Sequence, residues 1–223
     1  MEFVEYPDRD LLVMSLANNL AGDLRNALSN QERVSFVVPG GTTPGPVFDM
    51  LCAADIDWDR VDLMLSDERW VPNVSDRSNT RLLEQRMLVN HAAKAHLLPL
   101  YLPYETPEEA IETLTQECIR LFPISVLLLG MGTDMHTASL FPGADQLDLA
   151  LSIEAPVLVA MRAPGASEPR ITLSAPFPNG AMKKHLIILG AEKKAAFEKA
   201  QTLSAKEAPI AAVLDELNVH WSA

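Results

Sequence analysis

Cysteine is almost absent from this chain. Cys52 and Cys118 are its only thiols. They form no Cys-x-x-Cys pair, so neither a disulfide framework nor a thiolate cage is on offer. Both are expected in the interior of a protein in a reducing, cytoplasmic setting. Long apolar runs are missing as well: no window approaches the ~18 uninterrupted apolar residues of a membrane-spanning helix. The opening Met1-Glu2-Phe3-Val4-Glu5 has no basic segment leading into an apolar one, so no secretory signal is expected. Positive charge is in short supply, with 18 Lys+Arg against 30 Asp+Glu and a net charge of −12. That balance repels a phosphate backbone, and nucleic acid is excluded as a general partner along with membrane.

Several catalytic signatures are also lacking. There is no Gly-x-Ser-x-Gly elbow, no His-Glu-x-x-His, and no Gly-Lys-Ser/Thr to complete a Walker A loop. His91, His96, His185 and His220 are scattered without ligand spacing, so no metal is expected. What is present is a 223-residue chain, 48% hydrophobic and 22% charged, of ordinary globular composition. No long linker, repeat or low-complexity tract divides it, and the expectation is one domain over residues 1–223.

The apolar pattern alternates between two periods. Val13, Ala17, Leu20, Leu24 and Leu28 recur at helical spacing between Asp10 and Leu28, with Asp8 or Asp10 as a cap. Val34–Val38, Val61–Leu65 and Ile124–Leu129 are short apolar runs that read as buried strands. Between and after them the spacing predicts helices over Pro44–Cys52, Asn79–Val89, Thr106–Leu121, Ala191–Leu203 and Pro209–Leu217. Pro156–Met161, Ile171–Leu173 and Leu186–Leu189 continue the strand series, and Asn218–Trp221 is expected at the sheet edge. Ala163–Pro169 is the expected mobile loop. The alternation predicts an α/β fold with a doubly wound, mostly parallel sheet and helices on both faces. Ligands of such sheets sit outside the carboxyl ends of the strands, which directs attention to the loops after Val38, Leu65 and Leu129.

The first loop, Pro39-Gly40-Gly41-Thr42-Thr43-Pro44, joins two glycines and two hydroxyls to a helix start. It suits an anion and equally a plain strand-to-helix turn. The second, Ser66-Asp67-Glu68-Arg69-Trp70-Val71-Pro72, places an arginine able to clamp phosphate and a carboxylate able to bind a hydroxyl or orient a base; a solvated charged turn is the plainer alternative. The third runs from Gly130 to Gly143. Gly130-Met131-Gly132 begins a dinucleotide fingerprint, but Met135 stands where its third glycine belongs. Asp134 and His136 are instead two residues apart in a Gly-rich loop, the arrangement of a carboxylate that orients a general base. Arg170 opens a strand, and Lys193 with Lys194 fall in the first turn of a helix, where the dipole disfavours cations. That placement fits an anionic ligand, with exposed lysines on a solvated face as the commoner explanation.

Taken together, these residues resemble the 6-phosphogluconolactonase family, within the glucosamine/galactosamine-6-phosphate isomerase superfamily. Gly40-Gly41-Thr42-Thr43-Pro44, Asp67-Glu68-Arg69-Trp70-Val71-Pro72, Ser78-Asn79, Gly130 to Pro142, Arg170-Ile171-Thr172 and Gly190 to Lys193 follow the family's motifs in order from about Val34 onward. The resemblance implies a Rossmann-like fold of the sugar-phosphate isomerase type. It also implies hydrolysis of 6-phospho-D-glucono-1,5-lactone to 6-phosphogluconate in the cytoplasmic oxidative pentose phosphate pathway, without a cofactor. His136 is similar to the family's general base, with Asp134 as its neighbour. Arg69 and Lys193 resemble phosphate and substrate ligands beside the Gly40–Thr43 loop, with Asp67 and Arg170 alongside, the latter with a structural role as its alternative. Backbone N–H groups near Gly132 are the expected oxyanion donors. One position departs from the pattern: the family has glycine between Asp and His, and this chain has Met135, which must strain the loop if that position needs φ > 0. Two other readings stand beside the lactonase. Glucosamine-6-phosphate deaminases share these motifs but carry a glutamate after the histidine, where this chain has Ala138-Ser139-Leu140-Phe141-Pro142. A non-catalytic sugar-phosphate sensor is the third.

Overall fold

The computed structural model describes residues 1–223. The order is β1 (Glu2–Tyr6), α1 (Arg9–Leu28), β2 (Val34–Val38), α2 (Gly45–Leu51), β3 (Val61–Leu65), β4 (Asp67–Arg69) and α3 (Asn79–Arg86). Next come β5 (His96–Leu97), α4 (Pro107–Cys118), β6 (Val126–Gly130), α5 (Leu147–Leu151) and β7 (Leu158–Met161). The chain continues through β8 (Arg170–Leu173), α6 (Pro176–Asn179), β9 (Lys184–Leu189), α7 (Ala191–Ala200), a 3-10 turn at Pro209–Val213 and β10 (Leu217–Ser222).

Seven strands form one sheet in the order β1-β10-β9-β6-β2-β3-β5, with every neighbouring pair parallel. β2 and β3 are buried at all five positions each, which requires cover on both faces of the sheet and explains why their sequences are apolar apart from Ser35 and Asp62. α1 supplies part of that cover. Asp8 starts it by accepting the Leu11 N–H at 2.8 Å, and Leu12, Leu16, Leu20 and Leu24, one turn apart, are fully buried. The main core unites 55 buried residues from both sides of the sheet; a satellite of seven, including Leu140, Leu147, Val159 and Met161, lies around α5 and β7. Both cysteines are buried and free. No helix is long and apolar enough to cross a membrane.

Three expectations need correction. β10 is not an edge strand: it runs between β9 and β1, and the edge is the unanticipated β1, whose mixed Glu-Phe-Val-Glu-Tyr sequence reflects its largely exposed position. β7 and β8 do not extend the parallel sheet. They pair antiparallel with each other and with β4 in a separate three-stranded sheet. The helix expected over Pro209–Leu217 is only a 3-10 turn, because Glu216 adopts a left-handed conformation (φ 53°) and the chain enters β10. α1 ends at Leu28 as its periodicity suggested, α2 ends one residue early, and α3, α4 and α7 each end three residues early.

Candidate active site

The chain proceeds from β2 to β3 and β5 on one side of the sheet, whereas β6, β9 and β10 occupy the other. The reversal falls between β2 and β6, where the loops leaving two adjacent parallel strands diverge and open a crevice. One cleft lies there. Its walls include Gly40, Gly41 and Thr43 after β2, Gly132 and His136 after β6, Lys193 on α7, Asp67 and Arg69 on β4, and Arg170 on β8. Only three of its sixteen lining residues are hydrophobic, so it is shaped for a polar ligand. Thr42 faces instead a neighbouring recess lined by Gly41, Arg69, Ser78, Asn79 and Arg81.

Asp134 does not line the cleft but reaches it through His136. Its Oδ1 lies 2.5 Å from His136 Nδ1 and also accepts the His136 backbone N–H at 3.3 Å. The bond to His136 holds the Asp134 carboxyl below its ordinary value. A carboxylate there assigns the proton to Nδ1, leaving Nε2 with its lone pair. Gly132 makes this pairing possible. A Cβ on Gly132 would lie 2.3 Å from the imidazole and 2.4 Å from Asp134 Oδ1. Met135 adopts φ 66° and Ala138 φ 48°, so two non-glycine residues in the left-handed region bracket His136 and Thr137. Such residues cost about 1–2 kcal/mol each and cluster at functional sites. The loop keeps its path with methionine because the Met135 N–H donates to the Gly132 carbonyl, the Met135 carbonyl accepts the Ile210 N–H, and its side chain packs on the main core. The Gly132 N–H is already donated to the His136 carbonyl at 3.0 Å, so it is not free to serve an oxyanion.

Three cations share the cleft with His136. Arg69 donates through Nη1 to the Arg77 carbonyl at 2.8 Å, while its buried Nε has no partner. Arg170 is also largely buried with an unpartnered Nε; burial pulls its guanidinium below the ordinary arginine value, and Asp67 at 3.9 Å opposes that. Burial likewise lowers the Lys193 ammonium, with Asp134 opposing. Buried donors without acceptors carry a desolvation cost that an anionic ligand would relieve. Asp67, by contrast, is engaged: its Oδ2 accepts from Ser139 Oγ at 2.6 Å and its Oδ1 from Ser66 Oγ at 3.1 Å.

The site depends on residues that the motif reading did not single out. Glu68 is fully buried, and its carboxylate accepts the N–H groups of Arg69, Asn79 and Thr80 and the Ser78 hydroxyl at 2.7–3.0 Å. It therefore fastens β4 to the first turn of α3 and fixes the backbone that carries Arg69. Asn79 packs where a Cβ on Gly40 would sit, 2.0 Å from Asn79 Cγ, which explains that glycine by close approach. Ser139 joins Asp67 to the loop that carries His136. The signal for Glu68 was present: a carboxylate ten to twelve residues before a Ser-Asn-Thr helix start is an anion for unpaired helix N–H groups. Only the fold brings them together.

Residues 7–221 match the family described as Glucosamine-6-phosphate isomerases/6-phosphogluconolactonase. The chain belongs to this family. A 6-phosphogluconolactonase of Rhizobium meliloti is 37% identical over 218 residues, covering 95% of this chain and 94% of the relative. One from Pseudomonas aeruginosa is 38% identical, covering 92% and 88%. The crystal structure of a 6-phosphogluconolactonase from Shewanella baltica superposes with a TM-score of 0.96 at 33% identity over 100% of this chain and 98% of that one. A monomeric glucosamine-6-phosphate deaminase shares the fold at a TM-score of 0.81 but only 14% identity. Within the family, this chain sides in sequence with the lactonases.

Proposed function

We propose that this chain, as one α/β domain acting in the cytoplasm without a cofactor, hydrolyses 6-phospho-D-glucono-1,5-lactone to 6-phospho-D-gluconate in the oxidative pentose phosphate pathway. The observation that carries this reading is the Asp134–His136 pair opening on a cleft that holds Arg69, Arg170 and Lys193. The relatives' names supply the lactone. In this reading the three cations and the Gly40–Thr43 loop hold the phosphate, and its binding energy positions the distant C1 carbonyl. His136 Nε2 takes a proton from water as its oxygen attacks C1, and Asp134 stabilises the resulting imidazolium. The C1–O5 bond then breaks, and the imidazolium returns the proton to O5, leaving a hydroxyl at C5 and a carboxylic acid at C1, which ionises to the carboxylate by releasing the second proton of the water to solvent.

The test is lactone hydrolysis followed by coupling to 6-phosphogluconate dehydrogenase, corrected for the spontaneous reaction. Turnover of the phosphorylated lactone with little turnover of gluconolactone is expected. Rates equal to the blank would favour the sensor reading, and ammonia release from glucosamine 6-phosphate would favour a deaminase.

A further inference from the structure

His136 is held from a second direction. The Phe141 ring stacks on its imidazole with centroids 4.2 Å apart and planes inclined by 29°. Arg170 Cζ lies 5.1 Å from the same phenyl centroid. Arg170 in turn approaches Ser139 Oγ at 3.5 Å and Asp67 Oδ2 at 3.9 Å. Phe141 is absent from the lining of the cleft and packs on the satellite core, so it contacts the base and not the ligand space. The charged groups around His136 are Asp134 on its own loop, Lys193 on α7, Arg170 on β8, and Arg69 and Asp67 on β4. Phe141 is the uncharged aromatic face among them.

We propose that Phe141 is a positioning residue for His136, stacking on the imidazole to fix its rotamer and favouring the imidazolium formed when water gives up its proton. The physical ground is the negative face of the phenyl quadrupole, which attracts a neighbouring cation. Asp134 fixes one ring nitrogen, but a single hydrogen bond leaves the ring free to tilt about it; a stacked face removes that freedom. Arg170, resting on the same ring and tied to β4, keeps the phenyl ring from turning away. The inference rests on the lactonase reading, in which His136 is the base.

The experiment compares Phe141→Leu and Phe141→Trp with the unaltered protein by the NMR resonances of the His136 imidazole protons and by kcat and KM for the phosphorylated lactone. Removing the ring should move those resonances downfield, because the stacked phenyl that shields them is gone. It should lower kcat by about 3- to 10-fold, the scale of one aromatic pair, with KM nearly unchanged. Tryptophan should restore both. Should Phe141→Leu fail to fold, Phe141→Met keeps the volume without the π face and reads the same quantities. Unchanged resonances, or a raised KM at constant kcat, would overturn the proposal. Because the resonances need no turnover, their displacement in a protein with no lactonase activity would uphold the stack and overturn only the functional reading.

Discussion

Glu68→Gln is the perturbation that probes how the site is built. The substitution keeps the size and shape of the side chain but replaces one of two carboxylate oxygens with an amide NH2. In the native protein Oε1 accepts the N–H groups of Arg69 and Asn79, both at 2.8 Å, and Oε2 accepts the Thr80 N–H at 2.7 Å and the Ser78 hydroxyl at 3.0 Å. Either orientation of the amide therefore turns a donor toward at least one backbone N–H. Two of the four bonds are lost, each worth about 1.5–3 kcal/mol when the acceptor is charged. The charge that complements the start of α3 disappears as well, about 0.3–1 kcal/mol. The Ser78 hydroxyl can rotate and accept, which recovers part of the loss. The expected destabilisation is about 3–5 kcal/mol, a large share of the roughly 5–15 kcal/mol that holds a typical domain together. Urea unfolding followed by tryptophan fluorescence measures it. A folded variant should also show a raised KM for the phosphorylated lactone, since the same carboxylate fixes the Arg69 backbone. A loss below about 1 kcal/mol with KM unchanged would refute the claim that Glu68 anchors the site.

Two further outcomes follow from other parts of the molecule. Arg69→Ala should weaken productive binding of the phosphorylated lactone by about 1.5–3 kcal/mol, measured as kcat/KM, and leave the slow hydrolysis of unphosphorylated gluconolactone nearly unaffected; equal losses on both would remove Arg69 from the phosphate. His220 gives a pH prediction: it sits in a buried chain in which Tyr6 Oη lies 2.9 Å from its Nδ1, its Nε2 lies 3.0 Å from His185 Nδ1, and His185 Nε2 lies 2.8 Å from Asp23 Oδ2. Burial, with His185 adding to it, pushes His220 down to about 4 from an ordinary 6.5. The unfolded chain thus binds this proton at higher pH than the folded one, so stability is full above about pH 6.5 and is lost as pH falls toward 4, by on the order of 3 kcal/mol. Urea melts at pH 7 and pH 4 should show that loss in the native protein and a smaller one in His220→Gln; equal acid losses would contradict it.

Much of this was legible in the residues, and the omissions have physical causes. β2 and β3 were expected with the bounds that the structure shows, Val34–Val38 and Val61–Leu65, because a strand buried on both faces leaves a largely apolar run, interrupted here only by Ser35 and Asp62. β4 left no such trace. Its residues are Asp67-Glu68-Arg69, and a strand made of charges is recognisable only once their partners on α3 and β8 are in place. β1 was hidden by its exposure, and missing it made β10 look like an edge. In the site, His136 and Asp134 were visible because they are two residues apart in one loop. Phe141 stacked on His136, Ser139 bound to Asp67, and His185 meeting His220 from another strand are products of the fold. Sequence spacing carried no sign of them. Met135 was expected to strain its loop if the position required φ > 0, and it does adopt that conformation, its backbone bonds and core packing holding it there.

The central claim is that His136 activates the water that opens the lactone, and the turnover of His136→Asn tests it most directly. Asparagine preserves size and some hydrogen bonding but cannot take the proton from water. With the coupled assay corrected for spontaneous hydrolysis, kcat should fall by about 10²–10⁴-fold, while the affinity for 6-phosphogluconate changes little because the cations that hold its phosphate remain. Retention of more than about a tenth of the native turnover, far short of a lost general base, would contradict the account and make His136 a binding or structural residue.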